Sequence, residues 1–169
     1  MKDFYTALSY MNERIYKPNG IVISSIQEEK QNAKYGAGVF KVSSTSVRFR
    51  VANITPTKIG QFVAIWEKDD NDKNQPYKYS AAPDLLVVTV FKSENEFGQF
   101  ILPKEELFRQ SILISSSTKG KMALRVYPSW DIPTSNQATK TQEWQLPYFV
   151  DMSDPGKLDI EKLMRLYSV

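Results

Sequence analysis

In the stretch DFYTALSYMNERIY, Phe4, Ala7, Leu8, Met11 and Ile15 recur at steps of three and four, which predicts a helix over about 4–16 with Asp3 as its N-cap. Pro18-Asn19-Gly20 ends it. Residues 25–35, SIQEEKQNAKY, are polar and read as a loop or one helical turn, with Glu28, Glu29 and Lys30 in solvent. From Gly36 the apolar period becomes two. GAGVFKV, SVRFRVANI and QFVAIWEK read as consecutive strands, the first two joined by Ser43-Ser44-Thr45-Ser46. Val47, Phe49 and Val51 take one face of the second strand and Arg48 and Arg50 the other, so the pattern predicts a sheet with a wet, cationic side. By the same alternation Phe62, Ala64 and Trp66 point inward.

Between Lys68 and Pro83, DDNDKNQPYKYSAA reads as a loop, and DLLVVTVFK as a central strand covered on both faces. Gly98 marks a turn, Phe100 to Leu102 a short strand, and Pro103 the first turn of a helix with Glu105 and Glu106 near its positive end. KMALRVYP gives a strand over 121–128 and residues 134–145 a helix. KLDIEKLMRLY closes the sequence as an amphipathic helix with Leu158, Leu163 and Leu166 inward. The order of helix, β-meander, βαβ and helix predicts an α/β protein, a mixed β-sheet flanked by helices. No linker divides the 169 residues, so 1–169 reads as a single domain.

Composition then removes most chemistry. The sequence has no cysteine and no histidine, which excludes disulfides, thiolate zinc sites, cysteine nucleophiles, the Ser-His-Asp triad and His-ligated metals. The N-terminal residues mix charge with apolar groups and no segment approaches a membrane span, so a cytoplasmic protein without membrane contact is expected. The net charge of +3, with a pI near 8.9, is compatible with phosphate partners without singling them out.

Two chemical readings follow from the residues. Pro83-Asp84 opens an apolar strand followed by a short strand and a helix, the layout of a PD-(D/E)xK nuclease site. That chemistry needs an acid and a lysine two apart on the neighbouring strand to hold Mg²⁺ and steady the attacking water. Gly98-Gln99-Phe100-Ile101-Leu102 supplies neither, and the acid-x-lysine triplet Glu28-Glu29-Lys30 lies upstream, so Asp84 with Glu28 or Glu29 is an incomplete set. No cofactor or metal is expected.

Nucleic-acid contact asks less of the sequence: cations for phosphates and aromatic faces for unpaired bases. Lys41, Arg48, Arg50, Lys58 and Lys68 stand against Glu67 alone, net +4, and Lys104, Arg109, Lys119, Lys121 and Arg125 against Glu105 and Glu106, net +3. Lys58 sits in TPTKIG, where Pro56 stiffens the loop and Gly60 lets it turn. Trp130, in a proline-bounded turn, and Trp144 with Tyr148 and Phe149 read as packing of the C-terminal segment onto the sheet, with a stacking surface as the alternative.

YGAGVF, FRVANITPTKIGQFVAIW, DLLVVTVFK, FGQFILPK, KGKMALRVYPSWD and TQEWQLPYF, in this order and spacing, resemble the MepB family of small bacterial proteins over approximately residues 20–150. The resemblance implies a cytoplasmic single domain with a restriction-endonuclease-like α/β core, a role in nucleic-acid binding and no established enzyme activity. The sequence departs from that family pattern at Asn53, where a lysine is usual, and at Ser129, where a proline is. The combined expectation is a non-catalytic protein that binds DNA or RNA without sequence specificity through Arg48, Arg50, Lys58, Lys104, Lys121 and Arg125, with Trp130 stacking on a base. The rivals are a Mg²⁺-dependent nuclease using Asp84, Glu28 and Glu29, and a protein-interaction module.

Overall fold

The computed structural model describes residues 3–168. Asp3 caps the first helix, α1 (Phe4–Met11), its carboxylate accepting from the Thr6 N–H at 3.1 Å. The chain continues as a π-helical turn, Asn12–Tyr16, which buries the adjacent residues Ile15 and Tyr16 together, and stops at Gly20 in the left-handed region. The helix expected over 4–16 is there, with a widened last turn.

The strands are β1 (Ile23–Glu28), β2 (Gly38–Val42), β3 (Thr45–Val51), β4 (Asn53–Ile54), β5 (Gln61–Ala64), β6 (Trp66–Lys68), β7 (Asn74–Pro76), β8 (Leu85–Phe91), β9 (Phe97–Pro103), β10 (Ala123–Val126) and β11 (Phe149–Asp151). Helix α2 spans Lys104–Arg109, α3 Asn136–Gln145 and α4 Ile160–Tyr167. Six strands form the main sheet in the order β1-β2-β3-β8-β9-β11, with β3 and β8 parallel and the other pairs antiparallel. A second sheet runs β10-β5-β4, and β6 pairs with β7 alone. The expected architecture, a mixed sheet flanked by helices, is present. No helix among the described residues is long and apolar enough to cross a membrane.

Several local expectations change for physical reasons. The polar stretch 25–35 contains most of strand β1: an edge strand needs only one neighbour and no apolar alternation, and Ser24 to Glu28 are all exposed. QFVAIWEK is not one strand, because Ile65 separates β5 and β6 into different sheets. The loop expected after Lys68 contains β7. Gly98 is not a turn but lies within β9, where a Cβ would meet the Val150 carbonyl at 2.6 Å and the Phe149 ring at 2.7 Å.

Both faces of the main sheet are covered. Val47, Phe49, Val51, Val87 and Ile101 pack against α1 and α4, while Leu86, Val88, Phe100 and Leu102 pack against the second sheet and the segment from α2 to Leu113. Under the first layer, the Tyr16 and Tyr167 hydroxyls lie 2.7 Å apart, Tyr167 donates to Gln99 Oε1 at 2.6 Å, and Gln99 Nε2 donates to Thr89 Oγ1 at 3.0 Å. Burial pushes the Tyr16 phenol up to about 12 and raises Tyr167 well above its ordinary value.

The second layer overturns the wet cationic side. Arg48 and Arg50 leave β3 on the face that the second sheet covers, and Arg50 is wholly buried. The inward residues of the second sheet are Val63, Leu124 and Val126, with Ile65 just beyond β5; Phe62 and Trp66, expected inward, are half-buried, Phe62 on the outer face of β5 and Trp66 in β6.

Candidate nucleic-acid interface

Arg50 is held from every side. Its Nε donates to the Ala64 carbonyl at 3.3 Å, Nη1 to the Phe49 carbonyl at 2.8 Å and to Glu29 Oε1 at 2.7 Å, and Nη2 to the Tyr77 hydroxyl. Arg48 donates from Nε to Glu29 Oε2 at 3.3 Å and lays its guanidinium 3.7 Å from the centre of the Tyr77 ring. One carboxylate therefore pairs with both arginines, and the group ties the end of β1 to β3, to β5 through Ala64 and to Tyr77 after β7. Arg50 presents no surface to a polyanion, and Arg48 presents a paired one. Burial also raises the Tyr77 phenol, opposed by the two arginines.

The acidic residues of the nuclease reading do not converge. Asp84 Oδ2 accepts from the Ser46 N–H at 2.9 Å and the Ser46 hydroxyl at 3.0 Å, and the Asp84 N–H returns a bond to Ser46 Oγ at 2.9 Å. The Ser46 N–H is the main cause that holds its carboxyl below the usual range. Glu28 is exposed on β1, and both Glu29 oxygens are spent on arginines. Among the described residues no three His, Cys, Asp or Glu side chains are grouped to hold a metal. Lys104 shares this end of β8: its N–H donates to the Asp84 carbonyl at 3.0 Å and its ammonium lies 5.1 Å from the Tyr79 ring centre. Lys121 is exposed, with its N–H bonded to the Ile112 carbonyl just after α2.

A different set gathers where β8 ends. After Val51 the chain leaves the main sheet; the Ala52 N–H still donates to the Thr89 carbonyl at 3.0 Å, but Asn53 and Ile54 pair with Phe62 and Gln61 of β5. The two sheets splay at this point. Between them opens a cavity of about 630 Å³ whose walls include Val51, Asn53, Ile54, Gln61, Phe91 and Glu94. Ile54 and Gln61 also border a smaller hollow, about 140 Å³, completed by Lys58, Lys92, Trp130 and Asp131.

Loop 55–60 is shaped from a distance. Arg125, on β10, donates from Nη1 to Thr55 Oγ1 at 3.0 Å and to the Ile59 and Gly60 carbonyls at 3.4 and 3.3 Å. Gly60 has φ +85°, and a Cβ there would lie 2.8 Å from the Tyr127 ring and 2.9 Å from the Val126 carbonyl, so only glycine fits without strain. Lys58 is thereby exposed at the hollow's edge. Trp130 meets Phe149 in a T-shaped contact, centroids 5.6 Å apart, and is half-exposed. Desolvation raises the Asp131 carboxyl, opposed by the Gly60 N–H and by Lys92.

Of the residues expected at the interface, the fold brings together Lys58, Arg125 and Trp130, with Arg125 as a brace. It places Arg50 in the interior, pairs the half-buried Arg48 with Glu29, and sets Lys104 and Lys121 toward the other end. Lys92 and Gln61 also border these hollows and were missed, while Asn53 stood out only as a departure from the family pattern. Only the direction of the central strand pointed to Lys92, which follows its last residue.

The sequence model of the MepB-like family matches residues 29–151. Among solved structures, one described as a crystal structure of MepB is 37% identical to this chain with a TM-score of 0.77, and the alignment covers 89% of this chain and 97% of that one. No curated protein matches.

Proposed function

This chain belongs to the MepB-like family, and we propose that it binds DNA or RNA, without base-specific readout, at the hollow formed by Lys58, Lys92 and Trp130. The observation that carries the reading is that two lysines from separate loops and one anchored tryptophan border a single concavity. Two ammonium groups on the rim of one hollow suit neighbouring phosphates, and a half-exposed indole offers surface for a base. Asp131 offsets part of this charge in the same hollow. The role places the protein in the cytoplasm with its nucleic acid.

The same reading takes the mixed sheet, with Pro83-Asp84 opening its central strand, as a restriction-endonuclease-like core put to binding. Glu29 and Asp84 support folding in this account, Glu29 by pairing arginines and Asp84 by fastening β8 to Ser46.

Fluorescence anisotropy with a labelled oligonucleotide tests it. Affinity should fall between about 50 and 300 mM salt with a log–log slope near −0.9 per phosphate neutralised on duplex DNA. Lys58→Glu and Lys92→Glu should each weaken binding about fivefold or more and reduce that slope by about one. Binding that is flat with salt, or indifferent to both reversals, contradicts the reading.

A further inference from the structure

Resting on that reading, we propose that the cavity between the splayed sheets is a pocket for one unpaired nucleobase, so that the chain's ligand is single-stranded nucleic acid. Its volume of about 630 Å³ lies within the range of roughly 300–1,000 Å³ typical of small-molecule sites. Ala52 and Ile54 supply apolar surface that suits the face of a ring, and the cavity reaches the strand ends at Val51 and Phe91, whose side chains pack in the layer under α1. Ile54 and Gln61 stand directly opposite each other in the β4–β5 ladder and leave it on one face, toward the main sheet. Gln61 is covered, yet Ile54 is 63% exposed, because the main sheet ends at Phe91 and leaves nothing over it.

Gln61 supplies the polar signal. Its Nε2 donates to the Phe91 carbonyl at 3.1 Å, while its buried Oε1 has no donor. An orphaned acceptor of this kind calls for a partner, and an N–H on a base edge is one; Asn53 and Glu94 add further polar groups on the walls. Nucleobases all present N–H groups, so the pocket selects an unpaired base over a paired one without selecting among bases.

The two hollows share Ile54 and Gln61 as walls. A base in the larger one puts its phosphate toward Lys58 and Lys92, which is the charge complementarity that favours a nucleotide strand over a protein segment here. A duplex keeps its bases stacked inside and reaches only the lysines.

Anisotropy at low salt should compare three probes of equal length, about 12 nucleotides: a mixed-sequence single strand, its duplex, and a single strand with the same phosphates but abasic sugars. The single strand should bind about tenfold more tightly than either of the others. Ile54→Ser, at an exposed position, and Gln61→Met, which removes the orphaned acceptor, should each lower single-strand affinity toward the abasic level while leaving the salt slope unchanged. Equal affinity for intact and abasic strands overturns the base pocket but leaves the phosphate contacts standing, provided Lys58→Glu still weakens all three probes. Absence of binding to every probe overturns both readings together.

Discussion

Arg50 has no exposed surface and gives its donors to Ala64, Phe49, Glu29 and Tyr77, so a guanidinium that is costly to desolvate is kept by complete bonding. Arg50→Met leaves the Tyr77 hydroxyl without this donor and Glu29 with Arg48 alone. Because Arg48 remains to pair that carboxylate, the expected loss in urea unfolding is about 2–4 kcal/mol, at or below the usual cost of breaking a buried ion pair. Oligonucleotide affinity of the folded variant should stay at the parental value. Asp84 makes the corresponding statement about pH. Its folded-state carboxyl lies below its unfolded value, so its contribution is present above the ordinary aspartate range and is lost as pH falls through the folded value. Asp84→Ala should therefore lower the melting temperature at neutral pH, with the difference shrinking as pH falls below the ordinary aspartate range. A difference that persisted unchanged into acid would contradict the Ser46 contact as its source.

Within elements, the apolar period was enough to find α1, β8, β10 and α4, because each pattern is written in its own residues. Alternation in β3 separates Val47, Phe49 and Val51 from Arg48 and Arg50, but it does not say which face meets water. That depends on β5 and β10 folding across Arg50, with its acceptor Ala64 14 positions away. The same holds for β1, whose polarity is that of an edge, and for loop 55–60. There Pro56 and Gly60 were legible as loop residues, while the brace from Arg125 reaches Thr55 across 70 positions. Gly60→Ala should cost about 1–2 kcal/mol, since the left-handed backbone and the Tyr127 ring both oppose a Cβ. Arg125→Met should spare stability by comparison but weaken oligonucleotide binding several-fold by releasing Lys58, measured by anisotropy beside a thermal melt. An Arg125→Met protein that bound as tightly as the parent would show that the brace does not position the lysine.

At the scale of the molecule, the main sheet is a partition. One side holds α1 and α4 against it through the Tyr16, Tyr167, Gln99 and Thr89 hydrogen bonds, and Tyr167→Phe should cost about 1 kcal/mol there without touching binding. The other side carries the second sheet, and the parting of the two sheets at Ala52 creates the concavities. The cations expected to share one plate are instead divided along β8, whose seven residues span roughly 20 Å. Lys104 lies by its first residue and Lys92 directly after its last. Net charge treats these lysines alike, whereas the fold sets the larger cavity, about 630 Å³ against 410 Å³ beside Asp84, together with a tryptophan and a braced loop at the Lys92 end. The most direct measurement is the salt dependence of oligonucleotide affinity for Lys58→Glu and Lys104→Glu, read side by side against the parent chain. The account predicts that Lys58→Glu lowers affinity and flattens the slope by about one while Lys104→Glu changes neither. Equal losses from the two reversals would mean that diffuse charge, and no particular end of the molecule, attracts the polyanion.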